Sequence, residues 1–483
     1  MVSSSNVRPS QMGTMITAGQ DFGTTSMRLL KRRLLSGGGW ALGGKVLVAL
    51  TGLFSSALLA RLLTPQALGT YFLAYSIVNV GTSLGALGLT GTVVRLVAQS
   101  MGMNLFGRVR RVVSVVLSVG TLGALGVGLA YLLFGDDLAT TVFKAPALAA
   151  VTGLVAGWIM VGTLQGVLGE TFRGFHDVRL ATILGGQTTG AATGLATVAL
   201  LTASLFLIWL VDGQTTVATV LLLAICSGAV NTLVAGWLLH RRVTGLPEQT
   251  ADEDPKPDPR KVLREVLSVS LPLLVVTLVM MVRTSGDIWT LGAFLPQREL
   301  ALYGAANRLV SMVTMPMVII TAVAPPLIAE MYYQGRRESL EHALRTMATL
   351  TGIPGWLASM GCIFFAGPIL GLVYGNYYRG GAVVLALLSI GLFASVCAGS
   401  CGIVLSYTGH QKTLMVITII SSGATLLAMF ATVEPYGIAG VAAAKAAGQI
   451  LQNGIVLLVV RQKTGMWTHI GFRGISRPWS IKR

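Results

Sequence analysis

Two charged residues interrupt the apolar segment VMMVRTSGDIWTLGAF at residues 279–294, which contains Arg283 and Asp287 four positions apart. In an α-helix this spacing places both side chains on one face, where they can form an ion pair. A charged side chain at the centre of a bilayer costs about 2.5–3.5 kcal/mol on insertion scales. The two residues therefore indicate either a pathway for a polar substrate or a structural pair in which the charges neutralise each other.

A second polar pattern lies near the end of the chain. Lys445, Gln449 and Gln452 are separated by four and three positions within another apolar segment. On a helix these positions form one polar stripe, which is unfavourable on a face that contacts lipid. The pattern predicts that this helix faces a cavity or other helices.

Basic residues outnumber acidic residues within the apolar segments. The four deep bases are Lys45, Arg283, Arg308 and Lys445, whereas Asp287 is the one acid at comparable depth. Because one carboxylate neutralises one base, the excess of positive charge predicts an anionic substrate. An alternative remains for Lys45, Arg308 and Lys445, whose long side chains can extend to the membrane surface.

The composition shows which elements must position these residues. The chain has 483 residues, of which 53% are hydrophobic and 11% are charged, compared with about 25% charged residues in soluble domains. A transmembrane helix needs about 20 apolar residues, and the sequence contains about twelve such segments. We therefore predict an all-α integral membrane protein with about 12 transmembrane helices.

An internal repeat indicates two related halves. The motif LLTPQALGTYFLA is echoed by AFLPQRELALYGAA in the second half, and a polar, proline-containing segment separates the halves. Six helices return a chain to the same side of the membrane, so the repeat is predicted to be parallel, with two pseudo-symmetric six-helix lobes. The predicted units are an N-terminal tail with a short basic amphipathic helix (1–36), an N-lobe (37–240), a cytoplasmic linker (241–265), a C-lobe (266–460) and a basic aromatic C-terminal tail (461–483).

The formal net charge of +17 is explained by membrane topology and does not require nucleic acid as a partner. Most lysines and arginines fall on the side of the predicted membrane that both termini share, which the positive-inside rule assigns to the cytoplasm. The basic residues of both tails also predict contacts with anionic membrane lipids.

Motifs of enzymes and cofactor sites are missing from the sequence. It contains no P-loop and no glycine-rich dinucleotide motif, and the five histidines are too scattered to predict a metal site. We therefore predict no catalytic site, no cofactor and no bound metal.

Two segments carry a resemblance to a known family, FSSALLARLLTPQALGTYFLAYSIVNVGTSLGALGL at residues 54–89 and RTSGDIWTLGAFLPQRELALYGAANRLVSM at residues 283–312. They resemble the polysaccharide-biosynthesis (O-antigen type) lipid-linked oligosaccharide flippases of the MOP superfamily, which also contains MATE drug exporters. The resemblance implies a MATE-like, V-shaped pair of lobes whose helices 1, 2, 7 and 8 line a central cavity.

The resemblance also implies a function. Members translocate undecaprenyl-diphosphate-linked oligosaccharides from the cytoplasmic to the outer leaflet of the bacterial inner membrane, by alternating access, for surface polysaccharide biosynthesis. Glycosyltransferases and a polysaccharide polymerase are the implied protein partners. Alternatives that the sequence leaves open are a cation-coupled, MATE-like exporter of small amphiphiles and a scaffold that does not transport.

The resemblance gives each polar residue an expected role. The bases are expected to receive the diphosphate at successive depths: Lys45, Arg283, Arg308 and Lys445. The amide side chains are expected to hydrogen-bond sugar hydroxyls: Asn307, Gln449 and Gln452. Asp287 is expected to orient Arg283 or to respond to a coupling ion, since transport is expected to be driven by a proton, by sodium or by the membrane potential.

Overall fold

The fold is described from a computed structural model of the chain. The residues that it describes are 43–44, 46–185, 194–211, 213–247, 258–313, 328, 331–332, 334 and 337–469. Lys45, the predicted N-terminal amphipathic helix and the end of the C-terminal tail lie outside these residues.

Apolar helices make up the first half of the described chain. They are α1 (Val46–Leu62), α2 (Pro65–Gly85), α3 (Leu89–Gly102), α4 (Phe106–Asp137), α5 (Pro146–Ala149), α6 (Thr152–Gly174), α7 (Val178–Leu184), α8 (Leu195–Val211) and α9 (Val217–Thr244). The start of α2 follows from its sequence, because Thr64 accepts a hydrogen bond from the Ala67 amide and Pro65 fits the first helical turn.

The second half contains α10 (Pro259–Phe294), α11 (Gln297–Val313), α12 (Arg337–Phe364), α13 (Ala366–Tyr374), α14 (Ala382–Ala398), α15 (Cys401–Tyr407) and α16 (Gln411–Thr464). Among the described residues, seven helices are long and apolar enough to cross a membrane, or eight if α2 and α3 form one bent span. The all-α prediction is confirmed for the described residues. The number of twelve spans and the bounds of the lobes stay predictions.

The second predicted span is broken at Gly88. The sequence predicts one helix there, but the structure bends by 44° between α2 and α3. Gly88 has a φ of 76°, which favours glycine. A Cβ atom at this position would also lie 2.1 Å from the Ser270 carbonyl oxygen, so the absence of a side chain lets α3 approach α10.

α16 folds back on itself at Gly437, whose φ of 57° and ψ of −139° are not helical. Gln452 donates to Thr418 Oγ1 over 3.4 Å, and a Cβ atom at Gly448 would lie 2.0 Å from Thr425 Oγ1. Contacts between positions this far apart require two antiparallel arms. We call residues 411–436 the first arm and residues 438–464 the second arm.

The two halves of the chain pack closely where α2 meets α11. A Cβ atom at Gly69 would lie 1.8 Å from the Gln297 carbonyl oxygen, and Trp289 Nε1 donates to Ser76 Oγ over 3.1 Å. The largest apolar cluster joins both halves, with Leu73 and Leu291 completely buried in it. This packing brings α1, α2, α10 and α11 together around Asn307 and Arg308.

Candidate functional site

An ion pair between α10 and α16 lies at the centre of the polar residues. The Asp287 side chain is fully buried, and its Oδ2 atom accepts from Lys445 Nζ and, over 2.8 Å, from the Tyr303 hydroxyl. Lys445 also donates to Asn307 Oδ1 over 3.2 Å. The pair therefore joins α10, α11 and the second arm of α16 through four side chains.

The structure gives Asp287 a different partner from the one expected from the sequence. Arg283 lies four positions before Asp287 on α10, but among the described residues it forms no ion pair with Asp287. Arg283 is exposed, whereas the buried carboxylate meets the ammonium group of Lys445, which is 24% exposed. Spacing along one helix permits a pair, but a buried carboxylate needs a cation that reaches it inside the protein.

Arg283 and the pair line a cavity of about 300 Å³, which we call the ion-pair cavity. It contains six of the eight residues that the sequence indicated as a site: Arg283, Asp287, Asn307, Lys445, Gln449 and Gln452. α10, α11 and both arms of α16 supply the walls. The polar stripe on the second arm therefore faces a cavity, as its spacing predicted.

Hydroxyl groups hold the two glutamines of the stripe. Gln449 Nε2 donates to Ser395 Oγ over 2.8 Å, and Gln452 Nε2 donates to Thr418 Oγ1 over 3.4 Å. Asn453, which the sequence did not single out, also donates to Ser395 Oγ. These bonds orient the amides while their side chains line the cavity.

Arg308 lies in a second cavity of about 220 Å³, which we call the aromatic cavity. Its guanidinium contacts α1, because a Cβ atom at Gly52 would lie 2.7 Å from Arg308 Nη2. The same cavity is lined by Tyr71, Tyr75 and Trp158, which we call the aromatic wall, and the Trp158 ring centroid is 5.8 Å from that of Tyr75.

The aromatic wall was missed in the sequence, where such residues look like ordinary core side chains. Its one signal was the family resemblance, which indicated helix 2 (α2), the carrier of Tyr71 and Tyr75, but not α6, which carries Trp158. Residues of α1, α2, α10 and α11 all line the aromatic cavity, as the family resemblance implied for helices 1, 2, 7 and 8.

The two cavities adjoin, since Thr284 and Asn307 line both. Among the described lining residues, Arg283, Arg308 and Lys445 carry three positive charges and Asp287 carries one negative charge. The walls therefore have two positive charges in excess. No ion pair with a described acidic residue involves either arginine.

Metal ligands do not cluster in the part of the chain that the structure describes, where no group of three or more His, Cys, Asp or Glu side chains could hold an ion. The absence of a metal and of a cofactor stays a prediction. Lys45 lies outside the described residues, so its expected role is also untested.

Two sequence families match the chain. The family described as polysaccharide biosynthesis protein matches residues 34–332, and the MatE family matches residues 272–430. The first match covers more than half of the 483 residues and includes most of the aromatic cavity. No curated protein sequence matches the chain significantly.

Solved transporters share the fold. An inward-facing multidrug resistance MATE family transporter of the MOP superfamily has a TM-score of 0.67 and 16% identity, over 86% of this chain and 94% of that chain. The lipid II flippase MurJ in an inward closed conformation has a TM-score of 0.63 and 14% identity, over 86% of each chain. An outward-facing multidrug resistance MATE family transporter has a TM-score of 0.58 and 15% identity, over 90% of this chain and 96% of that chain. The MATE-like architecture that the resemblance implied is confirmed.

Proposed function

Because this chain belongs to the polysaccharide biosynthesis protein family, we propose that it translocates a polyprenyl-diphosphate-linked oligosaccharide across the bacterial inner membrane. The substrate moves from the cytoplasmic to the outer leaflet by alternating access, for surface polysaccharide biosynthesis. The protein acts as a multi-pass transporter with both termini in the cytoplasm. Glycosyltransferases that build the glycan and a polymerase that extends it are the proposed partners.

The observation that carries this proposal is the excess of positive charge in two adjoining cavities. Arg283 and Arg308 have no acidic partner among the described residues, and each lines a cavity. A diphosphate carries about two negative charges, which matches the excess of two. Guanidinium groups suit this ligand because they offer two parallel hydrogen bonds to phosphate oxygens.

The ion pair changes the expected order of phosphate contacts. Lys445 is held by Asp287 and Asn307, so its charge is already balanced when the cavity is empty. We propose that Arg283 and Arg308 bind the diphosphate and that Lys445 supports them from the cavity wall. Lys45, which comes just before Val46 in the sequence, is proposed to attract the diphosphate from the cytoplasmic side before it enters.

Sugar recognition is proposed to use both cavities. Asn307, Gln449 and Gln452 present amide groups in the ion-pair cavity, and Tyr75 and Trp158 present ring edges and faces in the aromatic cavity. Apolar walls with a few oriented polar groups are typical of small-molecule sites.

The direct test is flipping of a fluorescent lipid-linked oligosaccharide in proteoliposomes. We expect Arg283→Ala and Arg308→Ala each to slow flipping about tenfold or more, because a hydrogen bond to a charged group contributes about 1.5–3 kcal/mol. Arg95→Ala is the matched control, since Arg95 is exposed on α3 and lines neither cavity. Flipping at the wild-type rate in both cavity variants would contradict the proposal.

Repeating the wild-type assay with imposed proton, sodium or voltage gradients identifies the driving force.

A second candidate function is export of small cationic amphiphiles, which the MatE match at residues 272–430 favours. Such a substrate needs an available carboxylate in the cavity, but Asp287 is already paired with Lys445. The charge of the lining therefore favours the anionic substrate. Protection of cells that lack other pumps against cationic dyes would reverse this preference.

A further inference from the structure

An apolar cleft of about 820 Å³ lies beside the ion-pair cavity. α2, α4, α10 and the first arm of α16 form its walls. The side chains that define it are Ile77, Leu84, Val127, Phe134, Trp289 and Phe430. We call this space the apolar cleft.

The apolar cleft opens at the surface of the molecule. Phe134 is 67% exposed and Phe430 is 50% exposed, although both line it. α4, α10 and α16 are all candidate membrane spans. In a bilayer that these three helices cross, the opening faces lipid.

α10 forms the partition between the apolar cleft and the ion-pair cavity. Trp289 and Ala293 lie on its cleft side, whereas Arg283 and Asp287 lie on its cavity side. The helix thus presents an apolar face to one space and a charged face to the other.

The partition is thin at Gly286. Because glycine has no side chain, Leu426 from the first arm packs into this position, with its Cδ2 atom 2.6 Å from where a Cβ atom would be. Leu426 lines both the apolar cleft and the ion-pair cavity. The Leu426 side chain therefore separates the two spaces at this point.

We propose that the apolar cleft holds the hydrocarbon chain of the lipid-linked substrate while the diphosphate and sugars occupy the polar cavities. This proposal rests on the flippase function above. The occupant is an amphiphile because the two adjoining spaces have opposite character: one is lined by cations and amides, and the other almost entirely by apolar side chains. A hydrocarbon chain gains little by leaving lipid for protein, so the cleft acts by packing and orienting the chain near the head group.

The test fills the apolar cleft without changing the polar cavities. Ala130 lines the cleft on α4, whereas Gly126, one turn earlier, does not line it and has no atom within 4 Å of its Cβ position. We expect Ala130→Trp to slow flipping of a long-chain polyprenyl substrate about tenfold. The same variant should flip an analogue with a two-isoprene chain at the wild-type rate, and Gly126→Trp should flip both substrates normally.

Equal rates for Ala130→Trp and wild type with the long-chain substrate would overturn the proposal and would mean that ordinary lipid fills the cleft. Equal slowing of both substrates would also overturn it. Absence of flipping by the wild type with either substrate would instead overturn the flippase function itself.

A second measurement does not depend on the activity of a variant. A long-chain substrate with a photoreactive group at mid-chain should crosslink to peptides of α4 or α10 that contain cleft residues, and unlabelled substrate should compete. Crosslinks confined to other surfaces of the protein would contradict the proposed position of the chain.

Discussion

The ion-pair cavity and the aromatic cavity treat positive charge in different ways. In the first, the base Lys445 is balanced by the buried carboxylate of Asp287 and held by Asn307. In the second, Arg308 lies against α1 with no acidic partner among the described residues. Two bases in one membrane protein therefore differ in their surroundings: Lys445 completes the packing of three helices, whereas Arg308 has a charge that no described acidic residue balances.

The largest effect should come from breaking the pair on its lysine side. Lys445→Met leaves the fully buried Asp287 carboxylate with two donors among the described residues, the Tyr303 hydroxyl and the Ile288 amide. Removing one partner of a buried pair costs about 3–5 kcal/mol, so we expect a large decrease in the thermal unfolding temperature in detergent.

Three further variants isolate the cause of this loss. Asp287→Asn should destabilise less, because Lys445 is 24% exposed and can turn its charge into the cavity. The double variant Lys445→Met with Asp287→Asn should recover most of the stability that Lys445→Met loses. Lys412→Met removes an exposed lysine of α16, the helix that carries Lys445, and should change the stability little. A double variant that is less stable than Lys445→Met alone would show that the pair is not the source of the effect.

A smaller effect on stability is expected for Arg308, together with a clear effect on binding. Arg308→Met removes no ion pair with a described acidic residue, so the free energy of unfolding should change by less than about 1 kcal/mol. Stabilisation of the protein by added substrate should fall, because a hydrogen bond to a charged group contributes about 1.5–3 kcal/mol. Thermal unfolding with and without substrate measures both quantities. A loss of stability as large as that of Lys445→Met would remove the distinction between the cavities.

Much of this arrangement could be predicted from local patterns. The apolar segments predicted an all-α membrane protein, and the spacing of Lys445, Gln449 and Gln452 placed them on one face, which lines a cavity. These predictions depend only on helical periodicity and on the thickness of a bilayer.

The partner of Asp287 could not be predicted in the same way. Lys445 is 158 positions away along the chain, so only the packing of α10 against the second arm of α16 brings the two together. Arg283 was the local alternative, and sequence spacing alone does not show which of two bases reaches a buried carboxylate. The aromatic wall was missed for a related reason, since Tyr75 and Trp158 come from different helices.

The smallest predicted effect concerns the aromatic cavity and separates sugar contacts from phosphate contacts. Tyr75→Leu removes a ring that packs against Trp158 while leaving Arg308 in place. Aromatic contacts of this kind contribute about 0.5–1.5 kcal/mol beyond buried area, so we expect the affinity for the complete lipid-linked oligosaccharide to fall by up to about tenfold.

The affinity for polyprenyl diphosphate without sugars should not change in Tyr75→Leu, whereas Arg308→Met should weaken the binding of both ligands. Tyr436→Leu, at a tyrosine that is 70% exposed, is the control and should weaken neither. If Tyr75→Leu weakened the sugar-free ligand as much as the complete one, the aromatic wall would contribute to the general shape of the cavity and not to recognition of the glycan.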